Sequence, residues 1–310
     1  MPNFAPIKAV GWRLASAAAA ILVVSLAVFC LIHLIPGDPI DAMLGEHATS
    51  TDRAALAHAL GLDASLPTQL TRYYGGLLRF DLGRSVYTQR PIAAMLLERA
   101  PFTAALAISA VGLALLISIP LGILSALGPR SMWDRATLVL AVIGGAVPNF
   151  VIGPVLIVIF AVWLGWAPVS GAESVRGLVL PAVTLSLGLA AILVRQLRSA
   201  LRGVLGADYI RTATALGATP FETMRHALPN AALPVLSVAG TQLGVLMGGA
   251  VITETVFGWP GLGALTIEAI QGRDYPVVQA CILYISLAYV LINTLLDLVY
   301  AWCDPRISWH

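Results

Sequence analysis

Hydrophobic positions along the chain fall into six long runs, with the polar residues gathered between them. The runs are Leu14–Ile35, Thr103–Leu127, Ala136–Trp166, Gly177–Val194, Ala231–Thr253 and Val277–Leu296, and none contains Asp, Glu, Lys or Arg. Each is long enough to cross a bilayer core of about 30 Å as a helix. The third is too long for one straight span. Its Gly144, Gly145, Pro148, Gly153 and Pro154 predict a kinked helix or a helix with an irregular turn. Broken backbone at membrane depth is tolerated where it packs in protein or lines a cavity. The first run is 22 residues long and ends at Pro36-Gly37-Asp38-Pro39. A cleaved signal's apolar region is about 7–15 residues, so this run reads as a retained span.

The longest polar interval, Pro36–Phe102, has helical patterning of its own. "STDRAALAHALG" predicts a helix capped by Ser50 or Thr51 and closed by Gly61. "LPTQLTRYYGGLLRF" places Leu66, Leu70, Tyr73, Tyr74, Leu77 and Leu78 near one face. "RPIAAMLLERA" opens on Pro91, a good first helical residue. Such helices lie at the membrane interface, pack on the spans, or present a docking surface to an outer partner.

A second polar interval, "YIRTATALGATPFETMRHALPN" (Tyr209–Asn230), reads as two short helices around Gly217. Asp208 is placed to cap the first, and Gly217 suits a left-handed helix end. Thr219 is the cap of the second, Pro220 its first residue, and Glu222 completes a capping box. Pro229 is expected to end it. The apolar set is Ile210, Ala213, Leu216, Phe221, Met224 and Leu228. Helices of about ten residues are marginal alone in water, so this set needs something to pack on. Either it lies on the chain's own spans, or it forms a ball that fits a socket on a partner.

Charge orients the runs. With the N-terminus inside, the inner segments hold Lys8, Arg13, Arg130, Arg135, Arg195, Arg198, Arg202, Arg211, Arg225 and Arg306. The short outer segments hold only Arg176 and Arg273. The positive-inside rule therefore favours an N-in, C-in arrangement that puts the hairpin in the cytoplasm. The expected architecture is an all-α polytopic membrane protein. Residues 1–35 form the tail and first span, 36–102 an extracytoplasmic helical segment, and 103–310 a core of five spans. That core includes a cytoplasmic loop at 203–230.

Composition agrees: 58% of residues are hydrophobic and 11% charged, against about 25% charged in soluble domains. The net charge of +2 is too small to suggest a nucleic-acid partner. Cys30, Cys281 and Cys303 are scattered, with no CxxC pair to suggest zinc or a disulfide framework. Lys8 is the sole lysine. A P-loop needs Gly-Lys-Ser/Thr to reach the β/γ-phosphates, so this chain has none. If ATP drives it, another subunit binds the nucleotide. An intramembrane hydrolase would need an arrangement such as HExxH, which is lacking, or Ser with His or Lys. The histidines at 33, 47, 58, 226 and 310 are scattered, and only His33 approaches a span. An ion-coupled secondary transporter normally carries charge inside its spans, and these six cores have none.

The hairpin resembles the EAA loop of binding-protein-dependent ABC-importer permeases, whose pattern is Glu-Ala-Ala, three residues, then Gly. Here the register reads Arg211-Thr212-Ala213, then Thr214, Ala215, Leu216 and Gly217. The Arg-Thr departure resembles the dipeptide/oligopeptide/nickel branch. "IPGDP", "GLDASLPTQLTRYYGGLLRFDLGRS", "ITETVFGWPGLG", "RDYPVVQ" and "DPRI" resemble that branch in the same order along nearly the whole chain. The resemblance implies a permease subunit in a bacterial inner membrane, itself not an enzyme and holding no cofactor. It would pair with a second, similar permease to enclose a translocation path. Two cytoplasmic ATPases binding ATP and magnesium would dock on the EAA loops, and an extracytoplasmic binding protein would deliver substrate. Short peptides are the expected substrate class; nickel or another metal chelate, opines and glutathione are the alternatives. The coupling residues expected from this loop are Asp208, Tyr209, Ile210, Arg211, Thr212, Ala213, Leu216, Gly217, Thr219, Pro220, Phe221, Glu222 and Met224. ATP binding would push on the hairpin and rearrange the spans around a central path.

Within the spans, Gly240, Gly244 and Gly248 repeat at spacing four. Such small-residue faces let helices approach closely, against the partner permease, another span or the path. Polar side chains at membrane depth are costly and worth weighing. Asn149, Gln242 and Glu254 are candidates to line the path, Glu254 being expected near water at the outer end of its span. Asn293, Asp297 and His33 read as helix-end or backbone-bonded residues.

Overall fold

A computed structural model of the chain describes residues 5–31, 40, 44, 49–61, 63–128 and 130–303. Among these the secondary structure is helical, apart from one isolated bridge between Arg84 and Pro91. The helices are α1 (Ala5–Leu31), α2 (Ser50–Leu60), α3 (Leu66–Leu78), α4 (Ile92–Leu127), α5 (Met132–Ala146), α6 (Asn149–Leu156), a π-helical turn (Ile157–Trp163), α7 (Arg176–Leu205), α8 (Asp208–Ala215), α9 (Pro220–Gly249), α10 (Val251–Val256), α11 (Leu262–Gln271) and α12 (Tyr275–Cys303).

Among the described residues, four helices are long and apolar enough to cross a membrane: Ile92–Leu127, Arg176–Leu205, Pro220–Met247 and Tyr275–Leu296. The pair α5 and α6-with-π-turn makes a fifth if counted as one span. The expected break in the third run is there: the arms diverge by 106° at Val147-Pro148. Pro148 is extended (φ −63°, ψ 146°) and caps α6. The described part of the first run falls in α1, as the apolar stretch Leu14–Cys30. At 1.5 Å per residue that is about 26 Å of helix, slightly under a bilayer core. Pro36–Pro39, His33 and Asp304–Ile307 lie outside the described residues.

The helices assort into two compact units. One comprises the described residues of Met1–Pro101 and Gly261–Leu291. Its core joins Ile92, Leu96 and Ala100, spaced by four on α4, to Leu262 and Leu265 of α11 and Val277 and Cys281 of α12. A buried polar clasp closes it: Ser85 Oγ donates to Asp274 Oδ2 at 2.5 Å. Helix α3 packs on α1 through a Phe29–Tyr73 ring contact and a Ser25–Tyr74 hydroxyl bond of 3.1 Å. Burial raises the Tyr73 phenol to about 12. The expected face of α3 is only partly covered: Leu70, Tyr73, Tyr74 and Leu77 are half-buried, while Leu66 and Leu78 stay exposed. Helix α2 is capped by Thr49, one residue before the expected Ser50 or Thr51. The reason is reciprocity: the Thr49 hydroxyl accepts from Asp52 N–H, and the Asp52 carboxylate accepts from Thr49 N–H. Gly61 closes α2 at φ +67° as expected.

The other unit comprises the described residues of Phe102–Pro260 and Ile292–His310. Helix α7 is its centre. Leu189, Leu193, Leu197 and Leu201 recur every four residues and are all buried. They meet Ala227, Ala231, Val235 and Ala239 of α9, again every four residues. Rows at spacing four on both helices interdigitate, and the small alanines bring the backbones close. On another side, α7 approaches α5 at two glycines. A Cβ on Gly144 would stand 2.5 Å from the Leu187 carbonyl oxygen, and one on Gly188 3.1 Å from the Gly144 oxygen.

Candidate functional site

The hairpin follows α7 directly. Its first helix, α8, starts one residue earlier in register than the sequence suggests. Ala207 occupies the cap position in extended geometry with no side-chain cap, and Asp208 is the first helical residue. The expected Asp208 cap is therefore absent, because the carboxylate sits inside the first turn. There it still opposes the helix dipole favourably. Asp208 also stands 3.8 Å from Arg211, an exposed pair of small worth. Thr212 and Thr214 turn their hydroxyls onto the carbonyls one turn back, those of Asp208 and Ile210.

The end of α8 matches expectation. Gly217 takes φ +92°. Its N–H donates to the Thr214 carbonyl, and the Ala218 N–H donates to that of Ala213, both at 3.0 Å. This is a Schellman closure, which needs a residue tolerant of the left-handed region at Gly217. Two residues later, Thr219, in extended geometry, opens α9. Its hydroxyl accepts from Glu222 N–H at 3.3 Å, and Glu222 Oε2 accepts from Thr219 N–H at 2.7 Å. Pro220 is the first helical residue. The Thr219 N–H and hydroxyl hold the Glu222 carboxyl below its usual range.

Pro229 does not end the second helix. Helix α9 runs unbroken from Pro220 to Gly249, through Pro229 and Pro234, so the hairpin's second arm is the foot of a span. Proline costs a helical hydrogen bond, but neighbouring helices compensate for that in membrane proteins. Here the surrounding packing is dense: Ala227 and Ala231, flanking Pro229, are fully buried against α7. The hairpin's two arms are also tied side chain to side chain, Asn230 Nδ2 donating to the Tyr209 hydroxyl at 2.9 Å. Asn230 was not among the expected coupling residues; no periodicity marks a hydrogen bond across 21 positions.

The apolar set divides in two. Ile210 is buried, and Met224 and Leu228 pack half-buried on the same core as the α7 leucines. Ala213 is half-buried. Leu216 and Phe221 instead stand 84% and 79% exposed at the tip. One part of the face is anchored on the chain's own helices, and the tip is left open. Arg211, Thr212, Thr219, Pro220 and Glu222 are exposed around it.

Of the candidate path residues, Asn149 and Gln242 line one cavity of about 570 Å³. It sits at the Pro148 break, with walls from α5, α7 and α9. Glu254 does not line it. Against expectation, Glu254 is fully buried, accepting from Thr103 Oγ1 at 2.7 Å. Trp259 is buried alongside, its indole N–H bonded to the Phe102 carbonyl. Gly240 faces α12: a Cβ there would collide with the Leu296 side chain. Gly244 is buried, and Gly248 and Asp297 lie outside the residues whose side chains are described.

Comparison with known proteins gives a consistent result. Residues 118–309 match the family "Binding-protein-dependent transport system inner membrane component", and residues 7–107 match its N-terminal companion. A probable peptide ABC transporter permease protein of Sinorhizobium fredii is 40% identical, covering 96% of this chain and 98% of the relative. A glutathione transport system permease protein of Salmonella paratyphi A is 39% identical over 93% of this chain and 95% of its own. Among solved structures, an amino acid ABC transporter aligns with a TM-score of 0.53 and 17% identity. It covers 66% of this chain and 92% of its own, and speaks for the fold alone.

Proposed function

The chain belongs to the binding-protein-dependent transport system inner membrane components, and on that premise we propose how it works within an importer. It is a multi-pass permease subunit of an ABC importer. It crosses the membrane six times with both termini in the cytoplasm, α1 being the first span. It pairs with a second permease of the same kind, so that the two enclose the path. Two ATPase subunits, which bind ATP and magnesium, dock on the cytoplasmic hairpins, and a binding protein delivers solute from outside. The solute class is short peptides, glutathione included; the names of the relatives favour this over nickel or another metal chelate.

The observation that carries the coupling role is the division of the hairpin's apolar face. Ile210 fixes the hairpin to α7, so force on the tip reaches the spans. Leu216 and Phe221 remain exposed at that tip, where water-facing apolar groups of this size call for a partner. The Schellman turn at Gly217 and the capping box at Thr219 stiffen the connection between them. ATP-driven closure of the nucleotide-binding subunits then moves α7 and α9 together.

The test is ATP-dependent uptake by the complete complex in proteoliposomes, offered a peptide mixture, glutathione and nickel. Uptake of peptide or glutathione is expected. Phe221→Asp or Gly217→Asp should abolish uptake while the permease still inserts. Nickel-only uptake would overturn the solute class, and normal uptake by both variants would overturn the coupling assignment.

A further inference from the structure

Three arginines stand on the last turns of α7, and two are engaged within the protein. Arg198 pairs with Asp134 at 2.7 Å, and Arg202 donates to the Ser125 carbonyl at 3.3 Å. Arg195 differs. Among the described residues its Nε donates to the Ala191 carbonyl one turn back on its own helix, at 3.3 Å, and the residue is exposed. It lines the cavity of about 570 Å³ together with Asn149 and Gln242. The described lining otherwise consists of small or apolar residues such as Gly144 and Ile192, with no acidic side chain.

We infer that this cavity holds the carboxylate of the solute in transit, with Arg195 as its charged partner and the Asn149 and Gln242 amides as flanking donors. The inference rests on the importer reading above and adds where along this chain the solute is held, and by what chemistry. A guanidinium meets a carboxylate through two parallel N–H···O bonds, and the fork needs no reorganisation to do so. Five donors belong to an arginine, and the Ala191 carbonyl takes one of them. The amide oxygens of Asn149 and Gln242 can accept from a peptide's N–H groups, so the three side chains suit a zwitterionic peptide. One positive charge with no acid beside it repels a bare divalent cation. The volume lies within the range of small-molecule sites, about 300–1,000 Å³. The site also borders the Pro148 break, so movement of α6 against α5 would reshape its wall.

The experiment uses the complete reconstituted importer in phosphatidylcholine vesicles, with or without phosphatidylglycerol. The probes are a tripeptide with a free C-terminal carboxylate and its C-terminal amide, with uptake normalised to loaded binding protein. The wild-type complex should move the acid faster than the amide. Arg195→Gln should lower uptake of the acid about tenfold, the effect of losing a charge-assisted hydrogen bond. It should leave the amide unchanged, so that the acid-to-amide ratio falls to about one. An equal loss for both probes, or no loss for the acid, overturns the assignment. An Arg195→Gln effect seen only with phosphatidylglycerol present overturns it in favour of a lipid headgroup. Wild-type uptake of neither probe overturns the importer reading itself, an outcome distinct from failure of the Arg195 assignment alone.

Discussion

Asn230 and Tyr209 stand 21 residues apart and share a hydrogen bond of 2.9 Å, the amide donating to the phenolic oxygen. The bond joins the foot of α9 to the first turn of α8 and closes the hairpin on itself. It is solvent-exposed, so its net worth is about 0.5–1 kcal/mol. A double-mutant cycle of Tyr209→Phe and Asn230→Ala should give a coupling energy of that size in the complex's thermal stability. A coupling indistinguishable from zero would mean that the arms are held by packing alone.

Ile210 and Leu216 lie on one short helix and its cap but have opposite environments. Ile210→Ala empties a site in the α7–α9 core and should destabilise the permease by about 2–4 kcal/mol. Leu216→Ala changes an 84% exposed side chain and should stay within about 0.5 kcal/mol. Its effect should instead appear as weaker co-purification of the ATPases and lower uptake. Thermal unfolding of the detergent-purified complex, beside quantitative pull-down, separates the two.

Gly144 and Gly145 are neighbours with different roles. Alanine at 144 pushes a methyl against the Leu187 carbonyl, whereas nothing lies within 4 Å of a Cβ at 145. Gly144→Ala should cost about 1–3 kcal/mol through overpacking. Gly145→Ala should be neutral or slightly stabilising, because alanine is the better helix former. Melting temperatures of the two variants decide the matter, and equal values would refute a tight α5–α7 contact.

The capping box makes a pH prediction. The Glu222 carboxyl is held below its ordinary value of 4.5 by bonds from Thr219. A lowered folded-state value stabilises above 4.5, and the contribution is lost as pH falls through that lower folded value. Amide exchange at Thr219 should therefore stay protected from neutral pH to about 4.5 and lose protection below it. Glu222→Gln should flatten this dependence.

Much of this was legible in one dimension. The six apolar runs, the break at Pro148, the left-handed Gly217 and the Thr219 capping box depend on residues a few positions apart. Local rules govern such features: helix periodicity, the missing proline N–H, the absent glycine Cβ. Three local readings still failed. Thr49, not Ser50 or Thr51, caps α2, because Asp52 answers it reciprocally. Asp208 falls inside its helix instead of capping it. Pro229 leaves α9 intact because burial on α7 outweighs the lost bond.

What the sequence by itself determined was that this chain is a membrane protein of hydrophobic helices with a capped polar hairpin and no P-loop. Those conclusions need only composition, hydropathy and the stereochemistry of single residues. The tertiary structure decided which half of the hairpin's face is anchored and which is open. It decided that Glu254 is buried against Thr103 and does not meet water, and that Arg195 shares a cavity with Asn149 and Gln242. The last two are meetings of residues tens of positions or more apart. No periodicity records such meetings, because they are set by how whole helices pack.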